Sequence, residues 1–254
     1  MASIDNNWQT SMPGDWQVRR VVETGSTNSD LFAQAESGAP HHSALLADFQ
    51  TAGRGRLDRT WQAKAGANLL LSLLFRDSHV DVAQCQRRVA VGAVRACRKF
   101  LDTDSLAMQP VKLKWPNDLL LAGTKFGGML SVADQTQSFV VVGIGVNIGW
   151  APETAAKLAD VSRDPSLSPL TFLAELLRQT SELEKTSDEN LHELYLADLA
   201  TLHRLVRVEL TDSRVVVGRA IAVNQDGRLI VQTDERLLTI ETGDVVHLRD
   251  AVGE

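Results

Sequence analysis

The sequence has little cysteine and lacks the segments that mark secretion or membrane insertion. Its 254 residues include two cysteines, Cys85 and Cys97. Both fall in one predicted helix, about twelve residues and therefore ~18 Å apart, which is beyond disulfide reach. No apolar run approaches the ~20 residues of a transmembrane helix. The first ten residues have neither the basic region nor the apolar core of a signal peptide. These absences predict a cytoplasmic protein with buried free thiols and no membrane association.

The usual nucleotide, hydrolase and metal motifs are also missing. There is no G-x-x-x-x-G-K-[ST] loop and no G-x-S-x-G elbow, and the glycines at 143, 145 and 149 miss the dinucleotide spacing. The six histidines are scattered. The adjacent pair His41 and His42 does not have a chelating spacing on a helix or strand. We therefore expect no metal site made by side chains alone.

Positive charge is not in excess. The formal net charge is −6 and the isoelectric point is near 5.5, which argues against the basic face that nucleic-acid binding needs. The 44% hydrophobic and 23% charged content is typical of a globular protein. The length suits one large domain, or one large and one small. Arginines and lysines are therefore expected to act locally.

The hydrophobic patterns predict an α+β fold. Strands are expected near 16–23, 44–47, 67–75, 111–115, 119–121, 125–130 and 138–144, and helices near 28–37 and 82–100. Two further helices should follow Ser168-Pro169 and Thr186, where Thr186-x-x-Glu189 has the form of a capping box. Short strands separated by turns fill the chain after 202. We predict a mixed-sheet domain over residues 1–201 and a small antiparallel barrel over 202–254.

A loop rich in glycine and arginine connects the second and third predicted strands. It reads Gln-Thr-Ala-Gly-Arg-Gly-Arg from Gln50 to Arg56. Glycine lets backbone N–H groups approach a ligand, and arginine presents a permanently charged fork to carboxylate or phosphate oxygens. Taken alone, the loop is equally compatible with a solvated basic turn. Its composition indicates a segment that folds over an anion.

Two more polar clusters follow at strand ends. Lys112 and Lys114 share one face of a short strand, which ends at Pro116 and is followed by Asn-Asp. Lys125 begins the second arm of a hairpin, just before a glycine pair. Alone, this lysine would be interpreted as an edge-strand charge, and Asp118 as a turn former. Together with the loop, they indicate side chains that surround an anionic ligand.

Four motifs occur in order: Gly-Arg-Gly-Arg, Lys-Trp-Pro-Asn-Asp, Lys-x-Gly-Gly and Gly-x-Gly-x-Asn. In this order and spacing, from Thr24 to Arg249, the chain resembles the biotin–protein ligases. The resemblance implies a mixed-sheet catalytic domain followed by an SH3-like barrel. It also implies a reaction in two steps with ATP and Mg²⁺. Biotin is first activated as biotinyl-5′-AMP and is then transferred to a lysine of the carrier domain of acetyl-CoA or related carboxylases.

The resemblance also implies roles for residues that match the family's motifs. The biotin pocket would comprise Ser26, Thr27, Gln50, Gly53, Arg54, Arg56, Lys125 and Gly128. The ATP site would comprise Arg56, Arg59, Trp61, Lys114, Asn117, Asp118, Lys125, Asn147 and Arg249. Lys125, Arg56 and Asp118 would be catalytic. Asp118 would either accept a hydrogen bond from the incoming lysine amine or support Mg²⁺, and Trp61 would face the adenine or the closed loop.

Some features of the sequence depart from the family, and the pattern is also compatible with other functions. The chain has no room for the N-terminal DNA-binding domain of many relatives, so DNA binding is not expected, whereas a homodimer is allowed. Phe126-Gly127 is an unusual pair between Lys125 and Gly128. The alternatives are a lipoate-type ligase, an octanoyl transferase that would need a pocket cysteine, and a non-catalytic biotin-binding protein. We expect the carrier to pair with an exposed edge strand of the central sheet.

Overall fold

A computed structural model describes residues 9–10, 12–57, 59–77, 80–102, 104, 107 and 110–248. The N-terminal part contains β1 (Gln9–Thr10), β2 (Gln17–Thr24), α1 (Thr27–Glu36), β3 (Ser43–Gln50), β4 (Leu69–Arg76), α2 (Val82–Lys99), β5 (Val111–Lys114), β6 (Asp118–Leu121), β7 (Thr124–Ala133), β8 (Phe139–Val146), α3 (Pro169–Leu183) and α4 (Asp188–Asp198). The C-terminal part contains β9 (Leu205–Glu209), β10 (Val215–Val223), β11 (Leu229–Gln232), β12 (Leu237–Ile240) and β13 (Asp244–His247).

The first eight strands form one sheet in the order β1-β2-β3-β4-β8-β7-β6-β5. Strands β2 and β3 are parallel, and the remaining neighbours are antiparallel, so the sheet is mixed as predicted. The last five strands form an antiparallel sheet in the order β12-β11-β10-β9-β13. The predicted fold class, a mixed-sheet domain with a small C-terminal β-barrel, is confirmed. The exact division at residues 201 and 202 stays a prediction.

Both faces of the large sheet are covered, and alternate residues of each inner strand point to different cores. Leu45, Leu74 and Val141 pack under α1, whereas Leu46 and Val142 belong to the larger core. Helix α2 packs on β5, β7 and β8 in that larger core, with α3 and α4 against it. This arrangement explains why the inner strands are continuous apolar runs, since both faces are buried.

Most predicted helix boundaries agree with the structure, and one predicted cap is wrong. Ser168 caps α3 in a reciprocal capping box with Thr171. Helix α4, in contrast, is capped by Ser187, whose side chain accepts a hydrogen bond from the backbone N–H of Asn190. The predicted cap at Thr186 is therefore one residue too early. Serine takes the position because its own hydroxyl reaches the third backbone N–H of the helix.

The C-terminal sheet is anchored to the N-terminal domain through one of its turns. The indole Nε1 of Trp115 donates to the carbonyl of Gly227 at 2.8 Å, and Nη1 of Arg87 donates to the carbonyl of Gln225 at 2.7 Å. Both acceptors lie between β10 and β11. Among the described residues, no helix combines the length and apolarity needed to cross a membrane. The connection between β12 and β13, with Thr242 and the first residue of β13, Asp244, lies at the cavity described below.

Candidate active site

One cavity of about 440 Å³ opens where α1 begins and several strands end. The glycine-arginine loop, the turn after β5, strands β7 and β8, and the start of β13 all contribute to its wall. The predicted site residues that line it are Ser26, Thr27, Gln50, Arg54, Arg56, Arg59, Trp61, Lys114, Asn117, Asp118, Lys125, Gly128 and Asn147. Gly53 lies directly behind this wall, and Arg249 lies outside the described residues. Segments far apart in sequence therefore bring their cations around a common space.

A network of hydroxyl and amide groups forms one end of the cavity. The backbone N–H and the hydroxyl of Thr27 both donate to Oε1 of Gln50, at 2.7 and 3.0 Å. The buried Ser72 hydroxyl lies 2.8 Å from Oγ1 of Thr27 and 2.7 Å from Oδ1 of Asn28. Ser26 caps α1 through its backbone position only, because its side chain makes no capping hydrogen bond. These groups offer donors and acceptors to a polar, uncharged ligand group.

Sequence reasoning missed Ser72 and Asn28. Ser72 is the lone hydroxyl in the apolar run of β4 and is fully buried. Asn28 follows Thr27 and also donates from Nδ2 to the carbonyl of Leu130 at 2.9 Å. A single hydroxyl inside a strand covered on both faces needs a partner. That requirement could have identified Ser72 from the sequence as a member of a buried polar network.

The Gly-x-Gly segment of β8 allows side chains to approach the strand closely. A Cβ on Gly145 would lie 2.6 Å from Cε2 of Trp61, and one on Gly143 would lie 2.3 Å from Oδ1 of Asn28. The indole therefore lies directly on the strand, and its Nε1 is buried without a hydrogen-bond partner among the described residues. Glycine serves here for close packing of aromatic and amide groups over the sheet.

Lys125 and Asp118 form an ion pair inside the cavity. The Nζ of Lys125, on β7, lies 2.6 Å from Oδ1 of Asp118, on the neighbouring β6. The Nζ also lies over Gly128, 3.4 Å from where a Cβ would stand. A bulge between Leu119 and Leu120 brings the two charged residues together. A fixed ammonium and a carboxylate thus meet at the centre of the wall.

The glycine-arginine loop is closed on itself and tied to the C-terminal sheet. The N–H of Gly55 donates to the carbonyl of Arg59, and the N–H of Trp61 donates to that of Gly53. Arg56 donates to the carbonyl of Gly243 from both Nη atoms at 3.3 Å, and from Nη1 to Oδ1 of Asn117 at 3.5 Å. The loop therefore holds its arginines in place through neutral acceptors as well as charged ones.

Arg56 and the nearby Arg59 differ in their electrostatic surroundings. Arg59 forms a bidentate pair with the carboxylate of Asp244. That hydrogen bond raises the pKa of Arg59, whereas burial lowers the pKa of Arg56. Both remain positively charged at neutral pH, since arginine titrates so far above it. Asp244 was absent from the sequence predictions, and local pattern gives no sign of it.

Hydrogen bonds fix the side chain of Asn147. It is 2% exposed, its Oδ1 accepts from Nδ2 of Asn68 at 3.5 Å, and its Nδ2 donates to the carbonyl of Ala156 at 3.1 Å. Oδ1 of Asn68 in turn accepts from the backbone N–H groups of Ile148 and Trp150. The pair of asparagines fixes the chain after β8 at the edge of the cavity.

The adjacent histidines, which lack a chelating spacing on a regular helix or strand, lie close to a carboxylate in the structure. His42 has a left-handed backbone (φ 63°), and potential ligand atoms of His41, His42 and Glu184 lie within 4.8 Å of one another. Nδ1 of His41 accepts a hydrogen bond from the N–H of Arg76, so the neutral ring carries its proton on Nε2. The centroids of the two rings also lie 3.8 Å apart, with the ring planes tilted by 30°. This tautomer and ring arrangement do not suit a shared metal ion.

The two cysteines lie away from the cavity. Both are buried in α2 and free, as predicted. Burial raises the pKa of Cys85 to about 12 and also raises the pKa of Cys97. Neither lines the site. A thiolate nucleophile, which an octanoyl transferase requires, is therefore not provided by these residues.

Comparisons with known proteins agree with this fold and site. Residues 20–148 match the model of the biotin/lipoate A/B protein ligase family, and residues 202–248 match that of the biotin protein ligase C-terminal domain. The biotin–[acetyl-CoA-carboxylase] ligase of Mycobacterium tuberculosis is 38% identical over 92% of this chain and 90% of its own length. The bifunctional ligase/repressor BirA of Escherichia coli is 29% identical, over 87% and 70%. The chain belongs to the biotin/lipoate A/B protein ligase family.

Solved structures share the architecture. The biotin protein ligase of Aquifex aeolicus, in complex with biotin and ATP, superposes with a TM-score of 0.75 at 23% identity, over 92% of this chain and 99% of its own. The ligase of Leishmania major, in complex with biotinyl-5-AMP, gives 0.64 at 22% identity, over 92% and 98%. At these identities the likeness establishes the fold.

Proposed function

We propose that this protein is a biotin–protein ligase that activates biotin with ATP and transfers it to a lysine of a carboxylase carrier domain. The observation that carries the proposal is the convergence of Arg54, Arg56 and Lys125 on one cavity. The 38% identity to a biotin–[acetyl-CoA-carboxylase] ligase along nearly its whole length supports the same substrates. A lipoate-type activity and simple biotin binding are not favoured by these relatives.

The first step joins two anions, and the cations of the cavity make that approach feasible. A carboxylate oxygen of biotin bonds to the α-phosphorus, the bond to the β-phosphate oxygen breaks, and pyrophosphate leaves with the electron pair. Two like charges at ~4 Å repel by about 4 kcal/mol at an effective dielectric near 20. Lys125 and Arg56, fixed before the reaction, offset this repulsion and stabilise the charge of the transition state.

The second step consumes the adenylate. The neutral amine of the carrier's lysine attacks the acyl carbon, AMP leaves, and the amine loses a proton. Asp118 would accept a hydrogen bond from that amine, or else its carboxylate would help hold the Mg²⁺ that accompanies ATP. Mg²⁺ prefers one or two carboxylates together with phosphate oxygens. Asp118 and Asp244 are carboxylates of the cavity wall that fit this preference.

The remaining residues would divide between a biotin end and a nucleotide end of the cavity. The network around Thr27 and Gln50, with Ser26, Gly53, Arg54 and Gly128, would hold biotin. The nucleotide end would comprise Arg59, Trp61, Lys114, Asn117, Asn147 and Arg249. Ser72 and Asn28 extend the biotin end, because they fix the hydroxyl of Thr27.

The carrier would dock at the open edge of β7. Pairing of β7 with β6 ends at Gly128, whereas its pairing with β8 continues to Ala133. Leu130 also lines the cavity, so a strand added here would begin beside the reaction centre. Hydrogen exchange in the presence of the carrier should slow at residues 130–133. Protection confined to other edges would exclude this docking mode.

Mass spectrometry provides the direct test of the function. The protein mixed with biotin and ATP should retain biotinyl-5′-AMP and should add biotin to a carrier domain. A binding protein would retain biotin without forming the adenylate, and a lipoate ligase would form the lipoyl adenylate preferentially. Sedimentation velocity determines whether the protein is a monomer or a homodimer, and titration with duplex DNA tests the expected lack of DNA binding.

A further inference from the structure

A second cavity of about 280 Å³ adjoins the candidate active site. It lies between the start of α2, the turn after β5 and the turns of the C-terminal sheet. Arg56, Pro116, Asn117, Met129 and Leu130 line both cavities. These five residues therefore form a wall that the two cavities share. A group that leaves the reaction centre past Arg56 would enter the second cavity.

Arg87, which lines this second cavity, is a buried cation without a carboxylate partner. It is 4% exposed, its Nη1 donates to the carbonyl of Gln225 at 2.7 Å, and its Nε has no partner among the described residues. No described ion pair includes it. A buried guanidinium with an unused N–H is costly unless an anion or water satisfies it. This observation points to a ligand, since the described residues offer Arg87 one neutral hydrogen-bond acceptor, the carbonyl of Gln225.

Asp81, Asp188 and Asp226 act on Arg87 from a distance, but no carboxylate of the described residues forms an ion pair with it. Glu241 pairs with Arg228 at 3.1 Å, and Asp226 accepts from Nδ2 of Asn224 at 3.4 Å. Arg56, on the shared wall, has no ion pair with a described residue either. Two arginines thus face the same space without a carboxylate bonded to either. The chemistry that suits them is a compact anion with several oxygens, because guanidinium groups bind phosphate through paired N–H donors.

We propose that the second cavity binds a diphosphate group through Arg87 and Arg56. The proposal rests on the proposed function, in which adenylation cleaves the α-phosphate bond and releases pyrophosphate. The diphosphate would be either the β- and γ-phosphates of bound ATP or the free product. Arg87 would stabilise the leaving group from the side opposite the biotin network. Arg87 would then be a cation that serves the reaction although it lies outside the motifs that carry the family resemblance.

Arg87→Gln tests this site because glutamine keeps an N–H donor for Gln225 while removing the charge. Isothermal titration of the full chain with inorganic pyrophosphate, without biotin, should give a dissociation constant raised by about tenfold or more, as expected for one lost charge-assisted hydrogen bond. The affinity for AMP should not change. Arg87→Lys should restore part of the pyrophosphate affinity. Arg95→Gln, on the same helix but outside both cavities, is the matched control and should bind pyrophosphate like wild type.

Titration with ATP distinguishes the two sources of the diphosphate. Equal weakening of ATP and pyrophosphate would assign the site to the ATP tail, and weakening of pyrophosphate alone would assign it to the product. Unchanged pyrophosphate affinity, with or without a lower melting temperature, would overturn the proposal and make Arg87 a docking residue for the C-terminal sheet. An equal loss for AMP would also overturn it. If wild type formed no biotinyl-5′-AMP but bound pyrophosphate through Arg87, the proposed function would fail while the anion site stood.

Discussion

Replacing Lys125 by alanine should separate catalysis from stability. The substitution removes the ammonium that lies 2.6 Å from Asp118 and over Gly128. Nothing else in the sheet depends on this side chain, because β7 keeps its backbone pairing with β6 and β8. The change therefore removes one charge from the cavity and leaves the architecture in place.

The two expected magnitudes differ widely. The side chains of the pair are 43% and 19% exposed, and an ion pair this close to solvent contributes at most about 1 kcal/mol to the free energy of unfolding. In the reaction, the same ammonium faces the carboxylate and the phosphate as they meet. Losing about 4 kcal/mol of compensation there corresponds to about a thousandfold in rate.

The assay measures both quantities on the same preparation. Urea unfolding gives the free energy of unfolding, and single-turnover formation of biotinyl-5′-AMP gives the rate. Lys157→Ala is the matched control, since Lys157 forms a similar exposed pair with Asp160 at 3.1 Å and lies outside both cavities. We expect similar small stability losses from the two variants and a rate loss only from Lys125→Ala.

The reasoning would be refuted by a rate that falls in proportion to stability. If adenylate formation by folded Lys125→Ala dropped less than about tenfold, the charge would supply less than 1.4 kcal/mol, too little for the proposed role. A comparable rate loss in Lys157→Ala would show that the assay reports folding. Lys125→Arg should recover part of the rate, because it returns a positive charge to the wall.

Three further substitutions test other parts of the site. Thr27→Val removes the hydroxyl that joins Gln50 to the network, and should raise the KM for biotin about tenfold in steady-state kinetics, with little change in kcat. Gly145→Ala places a Cβ 2.6 Å from Trp61 and should cost about 1–3 kcal/mol in urea unfolding while displacing the indole, seen as altered fluorescence. Burial, reinforced by nearby cations, lowers the pKa of His247 from 6.5 to about 4. The unfolded chain therefore binds a proton that the folded chain does not, so stability falls as pH drops through this window, and His247→Gln should flatten the fall in chemical denaturation.

Each of these three has an outcome that contradicts it. An unchanged KM for biotin in Thr27→Val would remove the hydroxyl network from the biotin end. Wild-type fluorescence and stability in Gly145→Ala would mean that Trp61 does not pack on β8. An unchanged slope of stability between pH 6.5 and 4 in His247→Gln would assign the acid sensitivity to other groups.

The sequence predicted those features that depend on local pattern. Alternation and continuous apolar runs located the strands, because neighbouring residues of a strand face opposite sides of a sheet. The motifs also predicted that Arg54, Arg56 and Lys125 would converge, and they line one cavity. The cap of α4 was misplaced by one residue because Thr186 and Ser187 are both good caps, and only the backbone geometry selects Ser187.

Contacts between distant segments were not predictable in the same way. Arg59 meets Asp244 across 185 positions of sequence, and no periodicity relates a loop to a turn of another sheet. His41 and His42 converge because one of them adopts a left-handed backbone, which histidine adopts only occasionally. Ser72 was not recognised as a site residue because it lies within the apolar run that identified its strand. In each case, the missing information was the position of a neighbour that only the tertiary fold supplies.

The connection between β12 and β13 gives Arg56 and Arg59 different capacities for a ligand. Arg56 donates to a carbonyl and a hydroxyl of this connection, and neutral acceptors position a guanidinium without cancelling its charge. Arg59 is instead paired with the carboxylate of Asp244. Arg56 can therefore act on an anion from its resting position, whereas Arg59 must exchange one carboxylate for another anion. That difference follows from the C-terminal sheet, which supplies both the neutral acceptors of Arg56 and the carboxylate bound to Arg59. This small sheet therefore helps to set the charge that the candidate active site presents to a ligand.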